Sequence, residues 1–281
     1  MAVALPAEIA GVAVRSHTPV AGGDICRAFR VELADGRPAF VKTHAEPPPG
    51  FFAVEAAGLA WLAEAGAPVP EVLGLGEDWL ALAWIEPGPW TAAVDDDAGR
   101  AVASMHAAGA PTFGLDREGF VGTVAVDNRP AADWPTFWAE RRLRPLVRRL
   151  RDGGLDTDGA RVLERLCDRL PERDDLTGPP EPPARLHGDL WSGNVLAAAG
   201  ERAWLVDPSA HGGHRETDRA MLALFGGLSD RFVSAYAEVA PLAEYWRRRL
   251  PLHQLHPLLV HALLFGGGYG PRAVEVARQL A

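Results

Sequence analysis

Three oxygen-bearing side chains, Asp189, Asn194 and Asp207, have a spacing suited to phosphoryl transfer from ATP. Such a transfer needs a carboxylate near the acceptor hydroxyl and two oxygen ligands for magnesium. Asp189 and Asn194 lie five residues apart on one short loop, and Asp207 follows at the end of the next predicted strand. Asn supplies a neutral oxygen ligand and Asp a charged one, a set that suits Mg2+ and is poor for zinc. The spacing therefore predicts ATP and Mg2+ as cofactors.

The residues around this loop add to the prediction. His187 stands two residues before Asp189, which gives the H-x-D-x-x-x-x-N spacing of kinase catalytic loops. Asp207, 13 residues after Asn194, stands where such loops are followed by a magnesium-binding Asp. The alternative is that Asp189 and Asn194 only form hydrogen bonds within a turn.

Lys42 and Glu55 could form an ion pair that holds the lysine amine over the ATP phosphates. Lys42 ends the predicted strand Phe40-Val41-Lys42, and Glu55 lies on the predicted helix that follows. Taken singly, each could be an ordinary solvent-exposed charge. Together with the loop at 187–194, the functional interpretation is favoured.

Gly22 and Gly23 lie in a predicted turn whose backbone N–H groups could cradle phosphate. A plain hairpin turn is the alternative, because neither G-x-G-x-x-G nor G-x-x-x-x-G-K-[ST] is present. The Asp24 carboxylate would repel a triphosphate unless it points outward.

The order of predicted elements indicates an α+β protein with two lobes. Strands and tight turns fill residues 12–43, a helix covers 52–65, and two short strands follow near 72–75 and 79–84. The segment Glu86-Pro87-Gly88-Pro89 then interrupts regular structure, and the rest is mostly helical apart from short strands near 186–205. The sequence thus predicts a small β-rich lobe, 1–86, and a larger helical lobe, 87–281.

Composition excludes several classes of protein. The net charge of -9 argues against a general nucleic-acid binder. Two cysteines are too few for a disulfide framework and fit a reducing compartment. No basic residue precedes Arg15, so a secretory signal is not expected, and no apolar run approaches the roughly 20 residues that span a bilayer. These features predict a cytoplasmic protein without a membrane partner.

The acceptor is predicted to be a small molecule. Only residues 208–217 separate Asp207 from Asp218, and no A-P-E motif follows. A protein kinase needs an ordered activation segment there to hold its peptide substrate. Pro208 also fixes φ at the position of the mobile Phe of that segment. The chain therefore has no room for such a segment or its phosphorylation-controlled switch.

Several blocks of sequence carry a closer resemblance. They include HGDLWSGNV at 187–195, DPSA at 207–210, GHRE at 213–216, LFGG at 224–227 and LFGGGY at 264–269, with FVK at 40–42 and DWPTF at 133–137 upstream. These blocks resemble the fructosamine (ketosamine) kinases from about residue 22 to residue 269. The DLWSGN and GHRE blocks distinguish the chain from aminoglycoside and choline kinases, which share the general loop.

The resemblance implies a two-lobed protein-kinase-like fold of the aminoglycoside-phosphotransferase type. It implies transfer of the ATP γ-phosphate to the 3-hydroxyl of a ketosamine, free or on a glycated protein lysine, which supports deglycation. The roles that it implies for individual residues are a catalytic base at Asp189, magnesium ligands at Asn194 and Asp207, a phosphate contact at Lys42 held by Glu55, an adenine-binding hinge at Ala83-Trp84-Ile85 and a platform for the sugar at Trp191.

Two positions depart from the family pattern. Ala83 stands where relatives often have Glu, which a main-chain contact to adenine would tolerate. Asp24 replaces a frequent Cys, and Cys26 is two residues away, so redox control through that thiol does not carry over to this chain.

Other functions remain open from the sequence alone. The acceptor could be an aminoglycoside, a choline-like or another small alcohol, or the chain could be an inactive nucleotide-binding protein. The intact set of Lys42, Asp189, Asn194 and Asp207 argues against the inactive alternative. A monomer or weak dimer is expected.

Two further groups of residues are predicted to be structural or to face solvent. The histidines of the C-terminal half lack the H-E-x-x-H spacing of zinc sites. The arginine-rich run at 141–151 is predicted to be the solvated face of a helix, with a minority interpretation in which one or two arginines contact phosphate or substrate.

Overall fold

A computed structural model describes residues 5–21 and 25–281 of the protein. Its N-terminal part is a six-stranded sheet with the order β1-β2-β3-β4-β6-β5, in which all neighbouring strands are antiparallel. The sheet strands are β1 Glu8–Ile9, β2 Val12–Val20, β3 Arg27–Leu33, β4 Pro38–Thr43, β5 Val72–Leu75 and β6 Trp79–Ala83. The predicted strands in this region are present, and β2 extends further than predicted.

Alternation of side chains explains how this sheet packs. Phe29, Val31 and Leu33 alternate along β3 and are buried on one face together with Val41 of β4. The connection from β3 to β4 turns at Gly36, whose φ of 86° lies in the left-handed region that favours glycine. The hairpin predicted at residues 34–36 therefore forms.

Helix α1, Phe51–Glu64, packs on the opposite face of the sheet. Phe52, Leu59 and Leu62 are buried, and Gly66, in the left-handed region, follows the end of the helix as predicted. The same helix carries Glu55 toward Lys42 of β4.

The remainder of the chain is mainly helical. Short antiparallel pairs join β7 to β8, β9 to β12 and β10 to β11. These strands are β7 Gly119–Val121, β8 Val124–Val126, β9 Ala184–Leu186, β10 Val195–Ala198, β11 Arg202–Leu205 and β12 His211–Gly213. The helices after α1 are α2 Ala92–Ala107, α3 Trp134–Thr136, a π-helix Phe137–Leu143, α4 Arg144–Asp152, α5 Thr157–Arg169, α6 Asp174–Thr177, α7 Glu216–Phe225, α8 Asp230–Val239, α9 Trp246–Phe265 and α10 Tyr269–Leu280.

A sheet-rich N-terminal part and a helical remainder therefore confirm the α+β fold class. The boundary at residue 86 falls between β6 and α2 and stays a prediction. The sequence did not predict β7, β8, β12 or the π-helix, because each is short and lacks a distinct periodic pattern.

The prediction that the arginine run is a solvated helix face is wrong for Arg142. This residue lies in the π-helix and is 1% exposed. Its guanidinium donates to the Asp127 carbonyl and the Asn128 side chain, and it stacks 4.4 Å from the centre of the Phe137 ring. Its hydrogen-bond partners lie 14 and 15 residues earlier in the sequence, so a helical pattern in the run itself does not show that this arginine is buried.

Within the ranges that the structure describes, no helix is both long and apolar enough to cross a membrane.

Candidate active site

A β-hairpin brings Asn194 and Asp207 together. Strands β10 and β11 pair with Val195 opposite Leu205, and the Val206 N–H donates to the Asn194 carbonyl at 3.1 Å. Asp207 is the next residue along the chain. Residues 13 positions apart in sequence thus become neighbours because the hairpin register places them at its open end.

Asn194 is buried and is oriented by Asp189. Its Nδ2 donates to the Asp189 carbonyl at 2.8 Å and to Asp189 Oδ2 at 3.3 Å. Because the amide nitrogen is used in this way, Oδ1 is the side-chain atom of Asn194 left to accept a ligand.

Lys42 links the N-terminal sheet to this hairpin. Its Nζ lies 2.5 Å from Glu55 Oε2 and 2.7 Å from Asp207 Oδ1. The side chains of Lys42 and Glu55 are about nine-tenths buried, whereas that of Asp207 is 50% exposed. Two carboxylates from different parts of the chain therefore share one buried ammonium group.

The environment separates the acidities of these carboxyl groups. Burial, reinforced by the negative charge of Asp207, raises the pKa of Asp189 to about 7. Burial likewise raises the pKa of Glu55 to about 7, although Lys42 opposes it. Burial works against ionisation of Asp207 as well, but the Lys42 ammonium outweighs it and holds the pKa of Asp207 below its usual value. Asp207 is thus the carboxylate that stays charged near neutral pH.

Two residues of this site, Asp207 and Gly188, have a positive φ. Asp207 has φ of 55°, in the left-handed region, and precedes Pro208. A non-glycine residue in such a conformation costs about 1–3 kcal/mol and is typical of functional sites. Gly188, with φ of 82°, precedes Asp189, and a Cβ on it would lie 2.0 Å from the Ser209 carbonyl oxygen. Only glycine fits there without a shift of the loop.

Asp218, at the start of α7, anchors the loop that carries Asp189. Its Oδ1 accepts from the Gly188 N–H at 2.9 Å, and its Oδ2 accepts from the His187 N–H at 2.8 Å. His106 Nε2 donates to the same Oδ2 at 3.0 Å, which leaves His106 Nδ1 to accept from the Tyr236 hydroxyl at 2.8 Å.

Sequence reasoning assigned no role to Asp218, His106 or Tyr236. Each is one of several polar residues on its helix, so nothing in the sequence distinguishes it; a polar side chain that becomes buried needs a partner, and the sequence does not identify that partner.

The remaining predicted site residues fall in three places. Ala83, Trp84 and Ile85 follow one another at the end of β6 and line a cavity of about 380 Å3 together with Trp204 of β11. Trp191 precedes the 3-10 turn that ends at Asn194, and it is 39% exposed. Gly22, Gly23 and Asp24 lie outside the described residues.

The donor set fits a magnesium ion. Asp207 uses Oδ1 for Lys42 and retains Oδ2, and Asn194 retains Oδ1. Both are hard oxygen donors, one charged and one neutral, which suits Mg2+ and is a poor set for zinc.

A second group of possible ligands, His214, Glu216 and His253, is partly engaged in hydrogen bonds. Arg249 donates to both carboxylate oxygens of Glu216, at 2.9 and 2.5 Å. His214 Nδ1 accepts from the Glu216 N–H, and His253 Nδ1 contacts the Thr217 hydroxyl. The Arg249 guanidinium thus neutralises Glu216, whereas Nε2 of His214 and Nε2 of His253 are buried without a hydrogen-bond partner in the part of the chain that the structure describes.

Comparison with solved structures defines the class of protein. The aminoglycoside phosphotransferase APH(4)-Ia superposes with a TM-score of 0.61 over 96% of each chain, at 19% identity. The fold is therefore that of the protein-kinase-like phosphotransferases, with two lobes.

The sequence comparisons then identify the family. A family model described as fructosamine kinase matches residues 4–281. A "probable ketoamine kinase" of Thermus thermophilus is 42% identical over 253 residues, which cover 89% of this chain and 88% of that protein. The crystal structure of a "putative fructosamine-3-kinase" from Thermobifida fusca is 47% identical with a TM-score of 0.89, covering 96% of this chain and 94% of that one. The chain belongs to the fructosamine kinase family and is a phosphotransferase, as its sequence predicted.

Proposed function

We propose that this kinase transfers the γ-phosphate of ATP to the 3-hydroxyl of a ketosamine, free or attached to a protein lysine. The observation that carries the proposal is the connected set of Lys42, Asp207, Asn194 and Asp189, joined by contacts of 2.7–3.3 Å and by the β10–β11 hairpin. The related proteins named as ketoamine and fructosamine-3-kinases favour this acceptor. The unstable product would support deglycation.

Asp189 is the proposed general base. Its pKa of about 7 lies close to neutral pH. A general base with such a pKa is ionised in a large fraction of the molecules and still has a good driving force for accepting a proton. Asn194 fixes the Asp189 carboxylate and backbone, so the base is held in place before the acceptor arrives. The proton of the acceptor hydroxyl would pass to Asp189 as its oxygen bonds to the γ-phosphorus, while the bond from that phosphorus to the bridging oxygen breaks and ADP leaves.

Lys42, Asn194 and Asp207 are proposed to act on the nucleotide. Lys42, held by Glu55, would contact the ATP phosphates. Asn194 and Asp207 would hold Mg2+, which when bound neutralises phosphate charge as it develops. Asp207 stays ionised for this purpose because the adjacent ammonium lowers its pKa.

The other assignments are proposals of the same kind. The backbone of Ala83-Trp84-Ile85 would hold adenine, and Gly22 and Gly23 would approach the phosphates. The exposed face of Trp191 would pack against the C–H side of the sugar. A cytoplasmic location and a monomeric or weakly dimeric state complete the proposal.

A panel of acceptors tests the function. Purified protein with ATP and Mg2+ is incubated with a fructosamine, a ribulosamine, an aminoglycoside and choline. We expect turnover with the ketosamines, and phosphorus–proton coupling in the product NMR spectrum should place the phosphate on O3. Turnover confined to aminoglycosides or choline would overturn the proposal. Nucleotide binding without turnover of any acceptor would identify an inactive relative.

A further inference from the structure

A series of side-chain contacts leads away from the loop that carries Asp189. The Ser192 hydroxyl donates to the carbonyl of Phe225, the last residue of α7, at 3.4 Å. The Phe225 ring stacks on His261 of α9, with 4.5 Å between ring centres and 26° between planes. The C-terminal ends of α7 and α9 therefore meet beside the residue that follows Trp191.

Aromatic rings continue along the end of α9. His261 lies 5.4 Å from the ring of Phe265 and 5.2 Å from that of Tyr269. Phe265, the last residue of the helix, is 51% exposed. His261 Nδ1 donates to the Pro257 carbonyl at 2.8 Å, and burial lowers the pKa of His261, so the ring is neutral near pH 7.

The hairpin β7–β8 lies between the end of α9 and the residues that precede strand β3. Its tip, Gly122, has φ of 56°, and a Cβ there would lie 3.1 Å from Leu264 Cδ1 and 2.7 Å from Ile25 Cδ1. Ile25 lies two residues before β3. The tip thus packs between the N-terminal part of the chain and the end of α9, with no room for a side chain.

Leu264 and Phe265 are consecutive residues of α9 and join these two groups of contacts, which we together call the acceptor rim: Ile25, Gly122, Phe225, His261, Leu264 and Phe265. None of the six carries a charge near neutral pH. Each is at least partly exposed to solvent, and the surface adjoins Ser192 of the loop that carries Asp189 and Trp191. An exposed apolar surface beside a polar reaction centre is typical of a ligand site.

We propose that the acceptor rim receives the substituent on the ketosamine nitrogen and favours an apolar, aliphatic or aromatic substituent. This inference rests on the proposed function. In a ketosamine the nitrogen is three covalent bonds from the 3-carbon, so a sugar with its 3-hydroxyl at Asp189 would carry its substituent to the adjacent surface. The aromatic rings would contact the substituent and attract the neighbouring ammonium, which a neutral His261 does not repel.

Phe265→Ala tests the proposal. Initial rates are measured with two acceptors that share the fructose and differ in the nitrogen substituent, benzyl or methyl. The ratio of kcat/KM for the benzyl acceptor to that for the methyl acceptor should fall about 5- to 20-fold, since an apolar contact of this kind discriminates by about that factor. Phe265→Tyr, which keeps the ring, should preserve the wild-type ratio.

Val239→Ala is the matched control. Val239 is 41% exposed at the end of α8, so the change removes exposed apolar surface elsewhere. Melting temperatures of all variants would identify any loss of fold. A wild-type protein active on both acceptors, with an unchanged ratio in Phe265→Ala, would overturn the inference and leave the proposed function standing. A wild-type protein that phosphorylates neither ketosamine would overturn both.

Discussion

Asp189 and Asp207 show how one site gives two carboxyl groups different properties. Burial raises the pKa of Asp189 to about 7, whereas the Lys42 ammonium, 2.7 Å from Asp207, keeps the pKa of that group low. Groups whose acidities are separated in this way can divide the work of proton transfer and charge stabilisation. The proposed roles of base and magnesium ligand follow this division.

Replacement of Asp189 and replacement of Lys42 should change the steady-state kinetic constants in different ways. Asp189→Asn keeps the shape of the side chain and removes the base, so kcat should fall about 10²–10⁴-fold with nucleotide affinity nearly retained. Lys42→Ala removes the ammonium and leaves Glu55 and Asp207 without their partner, so KM for ATP should rise and kcat should fall. Steady-state kinetics and nucleotide titration distinguish the two. Unchanged kinetics in either variant would remove that residue from the site.

At the scale of elements, the β10–β11 hairpin and helix α7 fix the site. The register of Val195 opposite Leu205 places Asn194 beside Val206 and Asp207, and a slip of one residue would separate them. Helix α7 contributes Asp218, whose two oxygens hold the backbone of His187 and Gly188. The loop before β10 is therefore restrained at both of its ends.

Asp218→Asn should release one end of this loop. An amide has one acceptor oxygen where the carboxylate has two, so a backbone N–H of the loop would lose its partner at a cost of about 1–3 kcal/mol in the free energy of unfolding. Misplacement of Asp189 should lower kcat about 10- to 100-fold. Urea titration and steady-state kinetics measure the two effects.

Tyr236→Phe is the matched control for this change. It removes a hydroxyl that contacts His106 and not the loop, so it should cost about 1 kcal/mol in stability. If it lowered kcat as much as Asp218→Asn, the direct anchoring role of Asp218 would be wrong.

At the scale of the whole molecule, the interior holds many neutral histidines. Burial lowers the pKa of seven of the nine, that of His211 to about 3. These seven are His106, His187, His211, His214, His253, His256 and His261. Several ring nitrogens among them have no hydrogen-bond partner, so protonation would bury an unpaired charge.

Stability should therefore fall as the pH is lowered. Below about pH 6.5 the unfolded chain binds protons at histidines that stay neutral in the folded state. Each such histidine therefore lowers the free energy of unfolding by about 1.4 kcal/mol for each unit by which the pH falls, until the pKa of that histidine in the folded state is reached. Asp189 and Glu55, with raised pKa values, act in the opposite direction but are fewer.

Urea unfolding between pH 7.5 and 5 measures the effect. His211→Asn places an amide N–H at the position of Nδ1, where it can donate to the Ser209 carbonyl, and removes one titrating ring, so it should reduce the slope of stability against pH. A free energy of unfolding that is constant or rises toward pH 5 would contradict the prediction.

The sequence by itself determined the features that depend on local spacing. Alternating Phe29, Val31 and Leu33 predict the strand, and Gly36 and Gly66 end elements where their backbone angles require glycine. Asp189 and Asn194 share one loop, so their proximity follows from five residues of chain. The family resemblance rested on such blocks, and the comparisons confirm it.

Tertiary structure alone decided which distant groups meet. Lys42 and Asp207 are 165 residues apart, and their contact depends on how the sheet packs over the hairpin. The burial of Arg142, the anchoring by Asp218 and the acceptor rim likewise need partners from separate elements. A short sequence pattern fixes neighbours along a strand or loop, whereas the packing of the whole chain decides which distant polar groups are buried and which partners they hydrogen-bond.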